Sequence, residues 1–479
     1  MSDQVAHLPI VVDIDGLLIR SRWLDEALLE LLRTRPLEFL KVIRLRLSGS
    51  SAASASIARN AELDVDFWPV NPEFLAYLAS EAERGRCIVL ATSALDRVTT
   101  AFARKHPFLS EVVRLPENAT SQQKADALAK AFPEGFVYAG ATTDDAPVWR
   151  MAAGRLAVNL DDRARRRLES VGFGSTFDAA GLGLWAHMRA LRPHQWAKNL
   201  LILVPLFLGG RGHEPTAWLN ALTGALAISL VASAMYLVND LLDLPSDRRH
   251  WSKKARPIAS GEVSIRQAAA IAMALVLIGL GLAVSHGSDA VNVVLVYMVL
   301  TLLYSAYWKS VPILDVFVLA SLFTLRLWLG IVITNVRLSP WLLVFSMFLF
   351  LSLSLAKRHT EVLRLHAHGL TATPGRAYRA EDAPLILALG VASAIAGVLI
   401  MILYLIEDAF PRQQYAEPQF LWAGPPILFL FLGRLWLLCQ RGELNDDPVA
   451  FAMRDGVSLA LGAAIVAVAL LALAGTGLT

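Results

Sequence analysis

The chain has 479 residues, of which 55% are hydrophobic and only 18% charged, with a formal net charge of +3 and a mean hydropathy of +0.50. Soluble globular chains carry about 25% charged residues. This balance argues against a fully soluble protein and excludes a disordered, collagen-like or disulfide-scaffold one. Residues 1–185 hold 22 Lys and Arg against 24 Asp and Glu, and the remainder 22 against 17, so acids thin out where long apolar runs begin. No basic cluster dominates a soluble face, so no nucleic-acid partner is expected. Two cysteines, Cys87 and Cys439, offer neither a disulfide framework nor zinc spacing.

The first 180 residues read as one α/β domain. Short apolar strands are expected at Leu8–Val12, Cys87–Leu90, Phe136–Ala139 and Leu156–Val158, with helices including Asn71–Arg84 and Ser121–Phe132. That alternation implies a parallel sheet with its site at the carboxyl ends of the strands. The N-terminus has no basic segment before its apolar run, which Asp13 breaks, so it is not read as a secretory signal and is expected in the cytoplasm.

The strands end in Asp13-Ile14-Asp15-Gly16, Thr92-Ser93 and Gly140-Ala141-Thr142-Thr143-Asp144-Asp145, with Lys124 between the last two. In that order they resemble the motifs of haloacid-dehalogenase-type (HAD-like) phosphatases. The resemblance implies Asp13 as nucleophile, Asp15 as acid/base, Thr92 or Ser93 and Lys124 at the substrate, and Mg²⁺ held by Asp13, Asp15 and Asp145. Two positions depart from the pattern: Leu17 follows Asp-Gly, and Ala141 stands where the first acid of the last motif belongs. An active phosphatase and a degenerate domain both remain open.

Residues 186–479 read as an all-α integral membrane domain. Nine apolar stretches approach the ~20 residues needed to cross a bilayer: 194–210, 217–242, 266–286, 290–307, 312–334, 340–356, 384–406, 419–439 and 455–476. Loops after even-numbered stretches carry fourteen Lys and Arg, and loops after odd-numbered ones only Arg211, Arg337 and Arg412. Positive charge marks the cytoplasmic side. The expected topology is multi-pass in the inner (cytoplasmic) membrane, with the N-terminus inside and the C-terminus outside.

Chemistry concentrates at the expected cytoplasmic ends. Asn239, Asp243 and Asp247 recur every four residues, one helical face if the helix continues past Pro245. Hard oxygen ligands in this pattern suit Mg²⁺, which binds through one or two carboxylates plus substrate phosphates. Lys253, Lys254 and Arg256 follow and suit a diphosphate. Asp315 opens the fifth span, and Arg326 lies about three turns further on, expected to face the bundle interior. Lys357-Arg358-His359-Thr360-Glu361 and Asn445-Asp446-Asp447-Pro448 face the same side, and Arg192 to Asn199 precede the first span.

This half resembles the UbiA superfamily of membrane prenyltransferases through the run Asn239-Asp240-x-x-Asp243-x-x-x-Asp247. Within it, RPHQWAKN (192–199), NDLLDLPSDRRHWSKKARPIASG (239–261), YSAYWKSVPILD (304–315) and AKRHTEV (356–362) resemble the decaprenyl-phosphate phosphoribosyltransferase branch, as does the lone acid of the second motif, with Val311 and Leu319 four residues either side of Asp315. The resemblance implies Mg²⁺-dependent transfer of 5-phosphoribosyl from phosphoribosyl diphosphate to a polyprenyl phosphate. Asp240, Asp243, Asp247, Asp315 and Lys198 are then catalytic, and Asn239, Asp243, Asp247 and Asp315 lie at the metal. Arg192, Lys198, Asn239, Arg248, Lys253, Arg256, Tyr304, Lys309, Lys357 and Arg358 become substrate contacts. Prenyl transfer from a polyprenyl diphosphate to an aromatic or other small acceptor is the alternative.

Overall fold

The computed structural model describes the chain except residues 1–4, 6, 49–51, 94–95, 117–118, 161, 169–171, 178–182, 368–376, 412–414, 445–447 and 474–479, so Asn445, Asp446, Asp447 and two of the counted loop arginines, Arg376 and Arg412, lie outside the described residues. It divides into two compact units, one made of residues 1–192 and 236–273, the other of 193–235 and 274–479.

The first unit is built on a six-stranded, all-parallel sheet. Its strands are β1 (Ile10–Val12), β2 (Ile88–Thr92), β3 (Glu111–Arg114), β4 (Val137–Gly140), β5 (Gly154–Val158) and β6 (Ser175–Phe177), in the order β3-β2-β1-β4-β5-β6. β1, β2 and β4 are buried along their whole length, which is why they read as continuous apolar runs. The sequence showed four strands. The two it did not show are the sheet edges: β3 is largely exposed and β6 has three residues, so neither carries an apolar signal. The chain winds outward from β1 in both directions, so the strand order reverses between β1 and β4, where doubly wound sheets open a crevice. Helix α1 (Trp23–Thr34) leaves the loop after β1. Its buried Trp23, Ala27 and Leu31 recur every four residues and form one stripe against the core.

The first unit also takes in residues 236–273. These comprise the last turns of helix α2 (Pro215–Leu242), the short helix α3 (Leu244–Arg249) and the start of the helix Ile265–Val284.

Among the described residues, eight helices are long and apolar enough to cross a membrane, and they match eight of the nine expected stretches. The remaining one, 194–210, is not a long α-helix. It forms a 3₁₀ segment, Pro193–Leu203, that runs into the five-residue helix Val204–Leu208 with Pro205 in its first turn. Proline lacks the N–H that a continuing α-helix would need. The segment packs by its backbone: a Cβ added at Gly330 would lie 2.4 Å from the Ile202 carbonyl oxygen. Gly330 belongs to helix α4 (Leu314–Thr334).

Arg326, also on α4, is 5% exposed within the second unit. Its Nε donates to Asn199 Oδ1 (2.7 Å) and its Nη2 to the Tyr297 hydroxyl (3.1 Å), while the guanidinium stacks over Tyr297 and Phe323. Asn199 in turn donates to Ser229 Oγ at 2.9 Å. No carboxylate appears among these partners.

Candidate functional site

The acidic run sits at a joint between two helices. α2 ends at Leu242 and α3 starts at Leu244, with Pro245 in its first turn, where a missing N–H costs nothing. Helical register nevertheless carries across: the Asp243 N–H donates to Asn239 O and the Asp247 N–H to Asp243 O, both at 2.9 Å. Asn239, Asp243 and Asp247 therefore keep the spacing read from the sequence, and Asn239 Nδ2 donates to Asp243 Oδ2 at 3.2 Å.

Two arginines serve the same carboxylates. Arg192 Nη2 reaches both oxygens of Asp240, at 2.7 and 2.8 Å, and its guanidinium lies 5.3 Å from the centre of the Tyr236 ring. Arg256 Nη1 bridges Asp240 Oδ1 (3.1 Å) and Asp247 Oδ2 (2.5 Å), and Lys253 Nζ stands 4.0 Å from Asp247 Oδ1. Asp240 and Asp247 are 3% and 2% exposed. Burial pushes the Asp247 carboxyl above the ordinary aspartate range, although Arg256 pulls the other way. Arg248, expected as a substrate contact, is turned elsewhere. Its Nη1 and Nη2 donate to the two carboxylate oxygens of Glu26 at 2.9 and 2.7 Å, and its Nε donates to Ala259 O.

Among the described residues, no three His, Cys, Asp or Glu side chains converge to hold a metal ion. The donors at the joint are oxygens, from the amide of Asn239 and the carboxylates of Asp243 and Asp247. That set fits Mg²⁺ completed by substrate phosphate, and it does not fit a cation that needs a full protein cage.

The second motif lies in the other unit. Asp315, in the first turn of α4, is wholly buried. Arg358 Nε donates to its Oδ2 and the Tyr378 hydroxyl to its Oδ1, both at 2.6 Å, while Arg358 Nη1 donates to Glu361 at 2.6 Å. Ile313, just before the helix, holds φ +69°, which a β-branched residue rarely adopts. Its N–H donates to the same Tyr378 hydroxyl at 2.8 Å. A metal ligand was expected at Asp315; both of its oxygens instead accept short bonds from the protein. Lys198 Nζ lies 5.9 Å from the Phe323 ring centre. Tyr304, Lys309 and Lys357 are half-buried in the same unit, and Tyr304 adds to the electrostatic surroundings of Arg358. Tyr378 is the residue the sequence did not offer, since nothing in GRAYRAED marks it as a partner of Asp315.

In the α/β unit the expected residues gather at the carboxyl ends of the strands. Lys124 Nζ donates to Asp13 Oδ2 at 2.8 Å, the Ile14 N–H to Asp13 Oδ1 at 2.7 Å, and the Trp23 N–H to Asp15 Oδ1 at 2.9 Å. Burial and the neighbouring Asp13 charge push Asp15 up to about 7. Burial pulls the Lys124 ammonium down, but Asp13, Tyr138 and Asp145 outweigh it and hold it well above the ordinary lysine range. Thr92 is buried at the end of β2. Asp145 does not present itself to a metal: Oδ1 accepts from the Tyr138 hydroxyl (2.8 Å), and Oδ2 from the Ala141 N–H (3.0 Å), the Thr142 N–H (3.1 Å) and Thr142 Oγ1 (3.2 Å). With Ala141 in place of an acid and Asp145 so occupied, the residues present do not fit a phosphatase Mg²⁺ centre.

Comparison with known proteins places the membrane half. The family model of the UbiA prenyltransferase family matches residues 200–454. The protein y4nM of Sinorhizobium fredii is 35% identical over 466 residues, which cover 96% of this chain and 90% of that one, so the likeness extends through both halves. The decaprenyl-phosphate phosphoribosyltransferase of Mycobacterium tuberculosis (strain ATCC 25618 / H37Rv) is 31% identical over 284 residues, 58% of this chain and 91% of that one. A solved structure of a UbiA homolog from Archaeoglobus fulgidus, bound to GPP and Mg²⁺, is 18% identical with a TM-score of 0.45, covering 59% of this chain and 99% of that one. By its family-model match, its relatives and its helical membrane half, this chain is a membrane enzyme of the prenyltransferase type and belongs to the UbiA prenyltransferase family.

Proposed function

We propose that the protein transfers 5-phosphoribosyl from phosphoribosyl diphosphate to a polyprenyl phosphate, releasing diphosphate. The observation that carries this reading is the asymmetry of the two acidic motifs. The first offers oxygen ligands beside two arginines; the second is a single carboxylate held by Arg358 and Tyr378. One divalent cation and fixed positive charge suit a donor whose leaving group is a diphosphate. The relative named for decaprenyl-phosphate phosphoribosyl transfer supports the same choice.

In this reading a phosphate oxygen of the lipid bonds to the anomeric carbon as the bond from that carbon to diphosphate breaks. The attacking group is already an anion, so no protein base or nucleophile is required. Asn239, Asp243 and Asp247 would hold Mg²⁺, which supplies charge neutralisation for the departing diphosphate. Arg192 and Arg256 hold Asp240 and Asp247 in place and keep positive charge aimed where negative charge develops.

We also read the α/β unit as HAD-like, from the Asp13-x-Asp15 turn after β1 and the ion pair of Asp13 with Lys124. No hydrolytic step is assigned to it. The proposed setting is the inner membrane, with the N-terminus in the cytoplasm. At ~2.0 Å per residue for 3₁₀ turns and ~1.5 Å for α turns, the segment 193–208 reaches about 30 Å, enough to cross the hydrocarbon core. Nine crossings put the C-terminus outside.

The test is a membrane assay with labelled phosphoribosyl diphosphate and a polyprenyl phosphate, with and without Mg²⁺, read in the lipid extract. Label that requires Mg²⁺ and disappears in Asp243→Asn is the expected result. No label with folded protein and several lipid lengths, alongside turnover of allylic diphosphates, would replace this reading with prenyl transfer.

A further inference from the structure

The loop between α2 and the helix Ile265–Val284 is anchored to the α/β part of its unit at both ends. Near its start, Arg248 forms the two-pronged pair with Glu26; the two side chains are 6% and 7% exposed. At its end, Arg266 Nε donates to Asp25 Oδ1 at 2.8 Å. Two further contacts lie between. Arg249 pairs with Asp64 at 2.5 Å and covers the Phe67 ring. Gly261, at φ +75°, leaves room for Arg20 and Pro69, where a Cβ would come within 2.7 Å of Arg20.

Asp25 and Glu26 are neighbours in the first turn of α1, and that turn is held by Asp15, which accepts its first N–H. Here the Asp-x-Asp turn orients a helix. α3 has six residues, far fewer than the ~12–15 an isolated helix needs to be even marginally stable. Its placement, and with it that of Asp247, therefore depends on outside contacts.

We infer that Glu26 is a positioning residue for the transferase site: through Arg248 it fixes α3, so that Asp247 stands in register with Asp243 and Asn239. This rests on the metal assignment proposed above. Arg248 then acts on the protein side of the joint, and this role of the α/β unit requires no hydrolytic step.

The test uses the full-length protein in nanodiscs. Mn²⁺ is titrated by electron paramagnetic resonance, and hydrogen exchange is followed over residues 243–256, in wild type, Glu26→Gln, Glu26→Asp and the charge-swapped pair Glu26→Arg/Arg248→Glu. Loss of a side chain that orients a metal ligand typically weakens metal binding by about 10- to 100-fold. Glu26→Gln should weaken Mn²⁺ by at least about tenfold and speed exchange in the loop; Glu26→Asp and the swapped pair should recover most of both. The Mg²⁺ concentration for half-maximal transfer should rise in parallel. Wild-type Mn²⁺ affinity and exchange in Glu26→Gln would overturn the inference. Mn²⁺ binding by wild type without transfer of label would overturn only the substrate reading. If wild type binds no Mn²⁺, the metal assignment falls, and unchanged loop exchange in Glu26→Gln would remove the positioning role as well.

Discussion

Replacing Arg358 by methionine should unfasten the second motif, and the structure sets the size of the effect. Asp315 is wholly buried and Arg358 1% exposed, so the variant leaves a carboxylate out of water with one hydroxyl donor, Tyr378. Removing one partner of a buried pair costs about 3–5 kcal/mol. Glu361, the other partner of Arg358, is partly exposed and can turn to solvent. Asp315→Asn is milder: the amide oxygen still accepts from Tyr378 and Arg358 keeps Glu361, so about 1–2 kcal/mol is expected. The double variant buries no charge at this point and should be close to Asp315→Asn alone, so the coupling equals the full cost of Arg358→Met, about 3–5 kcal/mol. The protein carries its own reporter. Cys439 is wholly buried in the cluster that contains Val316, Ala356 and Tyr378, its thiol 3.3 Å from Thr360 Oγ1. In a Cys87→Ser background, labelling by a thiol-reactive fluorophore on heating reports the opening of this region. At roughly 2–4 °C per kcal/mol, Arg358→Met should open on the order of 10 °C below wild type, with the double variant recovering most of that. An unchanged midpoint in Arg358→Met, or simple additivity in the double variant, would refute the reasoning.

Three further outcomes are expected. Arg256→Gln removes the cation that bridges Asp240 and Asp247, so transfer should slow in the lipid-extract assay; wild-type transfer in this variant would contradict the role given to Arg256. Asp15 takes up its proton near 7 in the folded unit but near the ordinary aspartate value of 3.8 when unfolded. The stability tied to that proton is therefore fully present below about 4 and lost as pH rises through about 7. Opening free energies from hydrogen exchange at β1 and β2, in metal-free buffer, should fall over that window in wild type and stay flat in Asp15→Asn. A reporter active only outside the cytoplasm, fused to the C-terminus, should be active; one active only inside would mean that 193–208 does not cross.

Much of the architecture was legible because it is written in continuous apolar runs. The eight long apolar helices among the described residues and the four inner strands are of this kind. The segment 194–210 has the composition of a span but not its form, because hydropathy counts side chains, while prolines and the backbone approach at Gly330 decide the coil. The edge strands β3 and β6 carry no apolar pattern to read. At the first motif the four-residue spacing survived Pro245, since the proline falls in a first turn. What spacing could not convey was the direction of the arginines. Arg192, Arg248, Arg256 and Arg358 all read as substrate contacts, and in the fold each meets a carboxylate of the chain itself. The only trace of one partner was Asp25-Glu26 in WLDEALLE, where acids at a helix start are ordinary dipole companions.

Arg326 bears on how the protein is made. A charged side chain at the centre of an isolated membrane helix raises its insertion free energy by about 2.5–3.5 kcal/mol. Its partners Asn199 and Tyr297 precede it in the chain, and so are synthesised before α4 emerges. Helix α4 thus meets ready acceptors and aromatic faces as it enters the bilayer. By chain order alone, the two segments that satisfy this arginine are the ones made before it.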